Sequence, residues 1–193
     1  MDDLSQLSGR RFALGHAAAD TWQEAARAVA EQLGDRDDDE LGFVYVTDHL
    51  SEHLGDIASF LAGATGTLNW CGTIGIGICA TGVEYFDRPA VVAMTCSFPG
   101  SNHALFTSLD EAITSYAEMG SAPGGAFCVV HGDPRREELM GDVPRLARDT
   151  DGFLVGALTS SRASFGQLAG RPADSSLAGL LMTNARVATG LPQ

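Results

Sequence analysis

Apolar residues recur along this chain with two periods, and the places where the period changes mark its elements. Arg10–Gly15 reads as a short first strand. From Thr21 to Leu33 the spacing turns helical, with Trp22, Ala25, Ala26, Val29, Ala30 and Leu33 on one face. Thr21 and Glu24 form a capping box at its start, and Gly34 ends it. Leu41–Thr47, rich in Phe, Val and Tyr, is a strand. Ser51 is expected to cap a second helix that ends near Gly63 and buries Leu54, Ile57, Ala58 and Leu61.

The stretch Asn69–Ile78 is apolar, β-branched and punctuated by glycine, and Ala90–Phe98 is a second apolar strand. The polar turn Thr81–Pro89 between them is too short for a crossover helix, so an antiparallel pair is expected. Ser108 and Glu111 make another capping box, opening a helix that stops at Gly120. Gly125–His131 is a strand, followed by Asp133 and Pro134 as N-cap and first residue of a helix that Pro144 breaks or restarts. Gly152–Leu158 is a further strand, and Leu177–Met182 with Arg186–Leu191 reads as a last hairpin around Asn184. The order β-α-β-α-β-β-α-β-α-β-β-β predicts an α/β (α+β) layered sandwich with a mixed β-sheet covered by helices. No internal repeat or linker divides residues 1–193, so one domain is expected.

Composition narrows the partners. At 45% hydrophobic residues the chain can bury a substantial core. All 12 basic residues are arginine, and the net charge is −13. Such a chain has no general attraction to phosphate backbones or anionic lipid, so neither nucleic acid nor a membrane is an expected partner. The charge also serves solubility. Cys71, Cys79, Cys96 and Cys128 lie in apolar stretches without a C-x-x-C pair or a histidine cluster. They read as buried, reduced thiols, which favours a cytoplasmic setting. The acidic N-terminus lacks the features of a signal peptide, and no apolar stretch is long enough to span a bilayer.

No cofactor is expected. Gly75–Ala80 fits the loose G-x-G-x-x-A pattern, but the helix that pattern requires does not follow. The acidic run Asp35–Glu40 lacks the glycine and terminal glutamate of a calcium loop, so no metal is expected either. No G-x-S-x-G elbow occurs. Cys71, beside Gly72, is the one cysteine with a setting open enough for a reactive thiol, given a histidine partner. Val130–Pro134 carries a strand into a helix start, where an anion or the Asp133 side chain itself would use the free N–H groups. Gly156–Ser161 ends another strand with small and hydroxyl residues, which either leave room for a ligand or form a tight turn.

Three of these segments recur in order in a known family. They are Trp70–Gly77, followed by the acidic-aromatic Val83–Phe86; Val129–Pro134, an apolar strand ending in Asp-Pro; and Phe153–Ala157. Together with the early Ala-rich helix they resemble the N-terminal domain of the FIST (F-box and intracellular signal transduction) family. The resemblance implies a non-enzymatic, bacterial-type sensory domain that binds small ligands, amino acids or related metabolites. It implies as partners a signalling protein or a following FIST C-type domain, and a related domain serves protein recognition in an F-box protein. Two departures stand out. The sequence stops at Gly190–Gln193, where family chains continue with Gly-Cys-x-Pro and a second domain, and Ala157 replaces a second glycine.

The expected ligand pocket is walled by Cys71, Gly72, Thr73 and Gly75, with Gly156 at a neighbouring strand end and polar contacts from Glu84, His131 and Ser160. Two alternatives stay open. One is a thiol- or histidine-dependent hydrolase using Cys71. The other is a protein-interaction module or homodimer that pairs through an edge of the last hairpin.

Overall fold

A computed structural model describes residues 12–36, 41–120 and 124–185. In chain order the first half holds β1 (Phe12–Ala18), α1 (Trp22–Leu33), β2 (Leu41–Thr47), a 3-10 turn (Asp48–His53), α2 (Leu54–Thr65) and β3 (Asn69–Gly75). There follow β4 (Gly77–Ala80), β5 (Val83–Phe86), β6 (Ala90–Cys96), β7 (Asn102–Phe106), α3 (Leu109–Met119) and β8 (Phe127–Gly132). The last described elements are α4 (Leu139–Asp149), β9 (Phe153–Leu158), β10 (Gln167–Ala169), β11 (Arg171–Ala173) and β12 (Leu177–Thr183).

The strands form a six-stranded sheet of order β1-β6-β2-β3-β10-β11, a four-stranded sheet of order β7-β12-β8-β9, and the hairpin β4-β5. Helices α1 and α2 cover the outer face of the larger sheet, where Val29, Ile57 and Leu61 meet Val44 and Ile74. Helices α3 and α4 cover the smaller sheet through Phe106, Cys128, Leu146 and Leu177. The inner faces pack on each other through Phe43, Cys71, Cys96, Leu180 and Met182. The result is the expected α+β layered sandwich, with its strands shared between two stacked sheets. Fully burying an aliphatic or aromatic side chain of this kind contributes about 1.5–3 kcal/mol.

Local signals set the helix ends. The Thr21 hydroxyl accepts from Glu24 N–H at 3.3 Å and donates to its carboxylate at 2.9 Å. Ser108 accepts from Glu111 N–H at 3.3 Å, while the Glu111 carboxylate takes the N–H and hydroxyl of Thr107 at 2.7 and 2.8 Å. Gly34 and Gly120 end α1 and α3 at positive φ.

Several expectations are corrected. The strands Asn69–Ile78 and Ala90–Phe98 do not pair: β2 lies between them, parallel to β3 and antiparallel to β6. Helix α2 supplies the crossover that makes β2 and β3 parallel neighbours. The apolar run breaks at Ile76, and the supposed turn contains β5, folded back on β4 around Gly82 at φ 77°. Ser51 sits in the 3-10 turn and makes no cap; α2 runs on to Thr65 and ends at Gly66 in the left-handed conformation. Asp133 does not cap α4, which begins at Leu139. Its carboxylate closes a local turn by accepting from Arg135 N–H at 3.0 Å. Pro144 lies inside α4 without ending it.

β12 is buried along its whole length between β7 and β8. Both its edges are occupied, by β7 and β8, and the second arm of the expected final hairpin, Arg186–Leu191, lies outside the described residues. So do Arg10 and Arg11 of the first strand and residues 37–40 of the acidic run. Cys71, Cys96 and Cys128 are buried as expected, whereas Cys79 is exposed on the hairpin because alternate residues of β4 face outward.

Candidate functional site

The carboxyl ends of β2, β3, β8 and β9 meet at one rim of the sandwich. Thr159, just past β9, donates its N–H to Gly132 O at 2.8 Å, and Ser160 N–H reaches Ile74 O of β3 at 3.2 Å. Carboxyl ends of parallel strands are where α/β sheets place their ligands. Alternation along β3 sends Trp70 and Ile74 to the helix layer and Cys71 and Thr73 into the seam between the sheets. Strand pairing then sets Tyr45, Thr73 and Gln167 side by side across β2, β3 and β10.

His131 enters the same seam from β8. Its Nε2 lies 3.2 Å from the Tyr45 hydroxyl and its Nδ1 3.7 Å from Cys71 Sγ. Burial pushes the Cys71 thiol up to about 12 and the His131 imidazolium down to about 4. Burial, and secondarily the neighbouring Cys71, raises Tyr45 to about 12. All three groups are therefore neutral near pH 7, and the ring donates through one nitrogen and accepts through the other. This is a structural hydrogen-bonded chain; a nucleophilic thiolate is not favoured in it.

Beside it the Thr73 hydroxyl donates to Gly166 O at 3.0 Å and lies 2.6 Å from the Thr159 hydroxyl. Gln167 is 2% exposed, and neither its Oε1 nor its Nε2 has a hydrogen-bond partner among the described residues.

A strap, residues 159–166, carries the chain over this rim from β9 in one sheet to β10 in the other. Its Arg162 forks onto the buried Asp48 carboxylate, with Nε–Oδ2 at 2.8 Å and Nη2–Oδ1 at 3.1 Å, and reaches Asp87 Oδ1 at 2.7 Å. The Arg162 hydrogen bonds hold the Asp48 carboxyl below its ordinary range. Phe165 lies 3.8 Å beneath the guanidinium of Arg135, itself paired with Asp133. Ser160 Oγ accepts from Ile76 N–H at 3.1 Å.

The structure thus gathers Cys71, Thr73, His131 and Ser160 at one rim. It does not bring Gly72, Gly75, Glu84 or Gly156 into the cluster. A Cβ on Gly72 would come within 1.7 Å of Val44 O, and one on Gly156 within 1.8 Å of Val130 O, so both glycines admit a neighbouring strand. A Cβ on Gly75 would meet Gly77 O at 2.5 Å in the tight passage to β4. Glu84 projects from the exposed face of β5. Tyr45, Gln167, Asp48 and Arg162 were not singled out from the sequence, and Thr159 only as one residue of the Gly156–Ser161 strand end. The one available signal was Tyr45, a hydroxyl inside an otherwise apolar strand.

Among the described residues no group of three or more His, Cys, Asp or Glu could hold a metal ion. No described helix is long and apolar enough to cross a membrane. No curated protein matches the chain. The family model of the FIST N domain matches residues 40–193, which takes in the rim, the strap, the four-stranded sheet and every strand of the six-stranded sheet except β1. The chain therefore belongs to the FIST family, whose domains are associated with sensory roles in signal transduction.

Proposed function

We propose that this protein is a cytoplasmic sensory domain that binds a small polar ligand, an amino acid or a related metabolite, at the rim beneath the 159–166 strap. The observation that carries the reading is Gln167. A buried carboxamide offers two donors and an acceptor, and leaving such groups unpaired costs about 1–3 kcal/mol. A ligand with both a donor and an acceptor, such as an α-amino acid, would pair with it. Thr73, Thr159 and Ser160 would supply hydroxyl contacts, and His131, with Tyr45 and Cys71, would close the apolar end.

The cluster is packed shut, so ligand entry requires the strap to move. That requirement gives the domain two states, strap closed and strap displaced, that a ligand can bias by its different affinity for each. A signalling partner, or a following FIST C-type domain, would read the difference.

The test is a thermal-shift screen of amino acids and their amides, followed by titration calorimetry. A true ligand at a hundred times its Kd stabilises the fold by about 2.7 kcal/mol, and Gln167→Met abolishes the shift. Absence of any saturable shift, or a shift that Gln167→Met leaves intact, overturns the proposal.

The Cys71–His131 contact favours a second reading, a thiol-dependent hydrolase. It requires a thiolate, which the burial of both groups opposes. Rapid alkylation of Cys71 at neutral pH would favour the hydrolase over the receptor.

A further inference from the structure

β9 ends the four-stranded sheet, and no described strand pairs with its outer edge. Phe153 N–H donates to Ala126 O and Thr159 N–H to Gly132 O, so odd-numbered residues of β9 direct their backbone groups toward β8. The even-numbered residues Leu154, Gly156 and Leu158 therefore present their N–H and C=O groups to the open edge. The strand is also exposed in its side chains, Phe153 at 56%, Val155 at 38% and Leu158 at 60%. Edge strands are ordinarily blunted by charge or proline. β11, at the edge of the other sheet, carries Arg171 and Pro172, whereas β9 carries neither charge nor proline.

We infer that β9 pairs antiparallel with β9 of a second copy of this chain, across a two-fold axis at Val155, fusing two four-stranded sheets into one of eight strands. The backbone restricts the register. Hydrogen-bonded pairs must join even-numbered residues, so the axis can move only in whole residues that keep even opposite even. With the axis at Val155, Leu154 meets Gly156 of the second copy, Phe153 meets Ala157, and Leu158 meets Gly152. Apart from Val155, which meets its own symmetry mate at the axis, every large residue faces a small one. An axis at Gly156 would set Leu154 against Leu158, and one at Leu154 would set two Leu154 side chains against each other.

Self-complementarity is what selects a second copy over a foreign strand. The open backbone edge would accept any extended chain, but the large-to-small order along Gly152–Leu158 is matched by the same order run backwards. Each chain carries −13, so two copies can meet closely only along an uncharged strip, and β9 is one. A hollow of about 320 Å³ between β9 and α4, bordered by Gly156, Val143 and Leu158, lies where Leu154 of the second copy would sit.

The first measurement is sedimentation velocity of the wild type and Val155→Lys, which places two like charges at the axis. The wild type is expected at twice the monomer mass, and Val155→Lys at the monomer mass with an unchanged circular dichroism spectrum. A second measurement stands if that variant misfolds. In a Cys79→Ser background, Val155→Cys and Phe153→Cys are oxidised in parallel. Residues facing each other in a non-hydrogen-bonded antiparallel pair have Cα atoms about 4.5 Å apart, within disulfide reach. Two residues at position 153 would be offset by four residues, about 13 Å. Val155→Cys should crosslink and Phe153→Cys should not. A wild-type monomer at the highest soluble concentration, a dimer that survives Val155→Lys, or equal crosslinking at both positions overturns the inference.

Discussion

Replacing Gln167 with Met should stabilise the unliganded protein. Gln167 is 2% exposed and its carboxamide has no partner at either end among the described residues. An unpaired buried polar group costs about 1–3 kcal/mol. Met has nearly the same length and volume, so the swap removes the polar atoms with little change in packing. The expected gain is thus about 1–3 kcal/mol. For a chain of this size each kcal/mol moves Tm by about 2–4 °C, which gives a rise of roughly 2–12 °C. Calorimetric melts, with urea titration as a second measure, resolve a change of that size. Thr95→Val is the control: Thr95 is fully buried and its hydroxyl has no partner among the described residues, but it lies on β6 away from the rim. It should also stabilise, and it should leave ligand binding untouched. A Gln167→Met protein less stable than wild type by about 1 kcal/mol or more would mean that the amide is well satisfied, and the basis for placing a ligand there would be gone.

His131 should make the fold acid-sensitive. Its folded pKa is depressed to about 4 from 6.5, so the unfolded chain takes up a proton first as pH falls. Its contribution is fully present above pH 6.5 and is lost between 6.5 and 4, on the order of 3 kcal/mol at most; His131→Gln should flatten that stretch of the stability–pH curve. Cys71 should react with iodoacetamide only on unfolding, whereas exposed Cys79 should react in the folded protein. Mass spectrometry of the alkylated protein separates the two, and equal labelling would contradict the assigned burial.

How much of this was legible in the sequence depended on how local the cause was. α1 and α3 were readable because caps and a helical stripe lie within a few residues of one another. β2 matched its apolar run residue for residue. β10 and β11 are three residues long, and they are strands only because β3 offers an edge to β10 and β10 in turn offers one to β11. The β2–β3 pairing was hidden for the same reason: local spacing reports that strands exist, while their order is decided by which apolar faces meet. The site divided along the same line. Strand-end logic pointed to Cys71, Thr73 and His131. Gln167 and Thr159 acquire meaning only once a second sheet closes over the first. Gly72 and Gly156 read as openings for a ligand, yet their missing side chains accommodate Val44 and Val130 carbonyls.

The strap decides whether the closed rim can act as a receptor. If the binding-competent state is a fraction of the population, apparent affinity falls by that fraction, so a strap open about 1% of the time weakens binding about a hundredfold. Loosening the latch should therefore tighten apparent binding. Arg162→Ala is the wrong probe, because it removes both side-chain hydrogen bonds to the Asp48 carboxylate together with the contact to Asp87, and so perturbs the fold beneath the strap as well as the latch. Asp87→Asn is the better one. Asp87 holds only the outer arm of Arg162, at 2.7 Å, and its positive φ of 54° is one that asparagine also tolerates. An exposed pair of this kind contributes about 0.2–1 kcal/mol. The variant should raise the open fraction, and with it the apparent affinity, by up to about fivefold. Hydrogen exchange across residues 160–166 should quicken by the same factor while α1 and β2 stay protected. Faster exchange with unchanged or weaker binding would break the link between strap and site. The ligand would then have to enter elsewhere, and the strap would be an ordinary connection between two sheets.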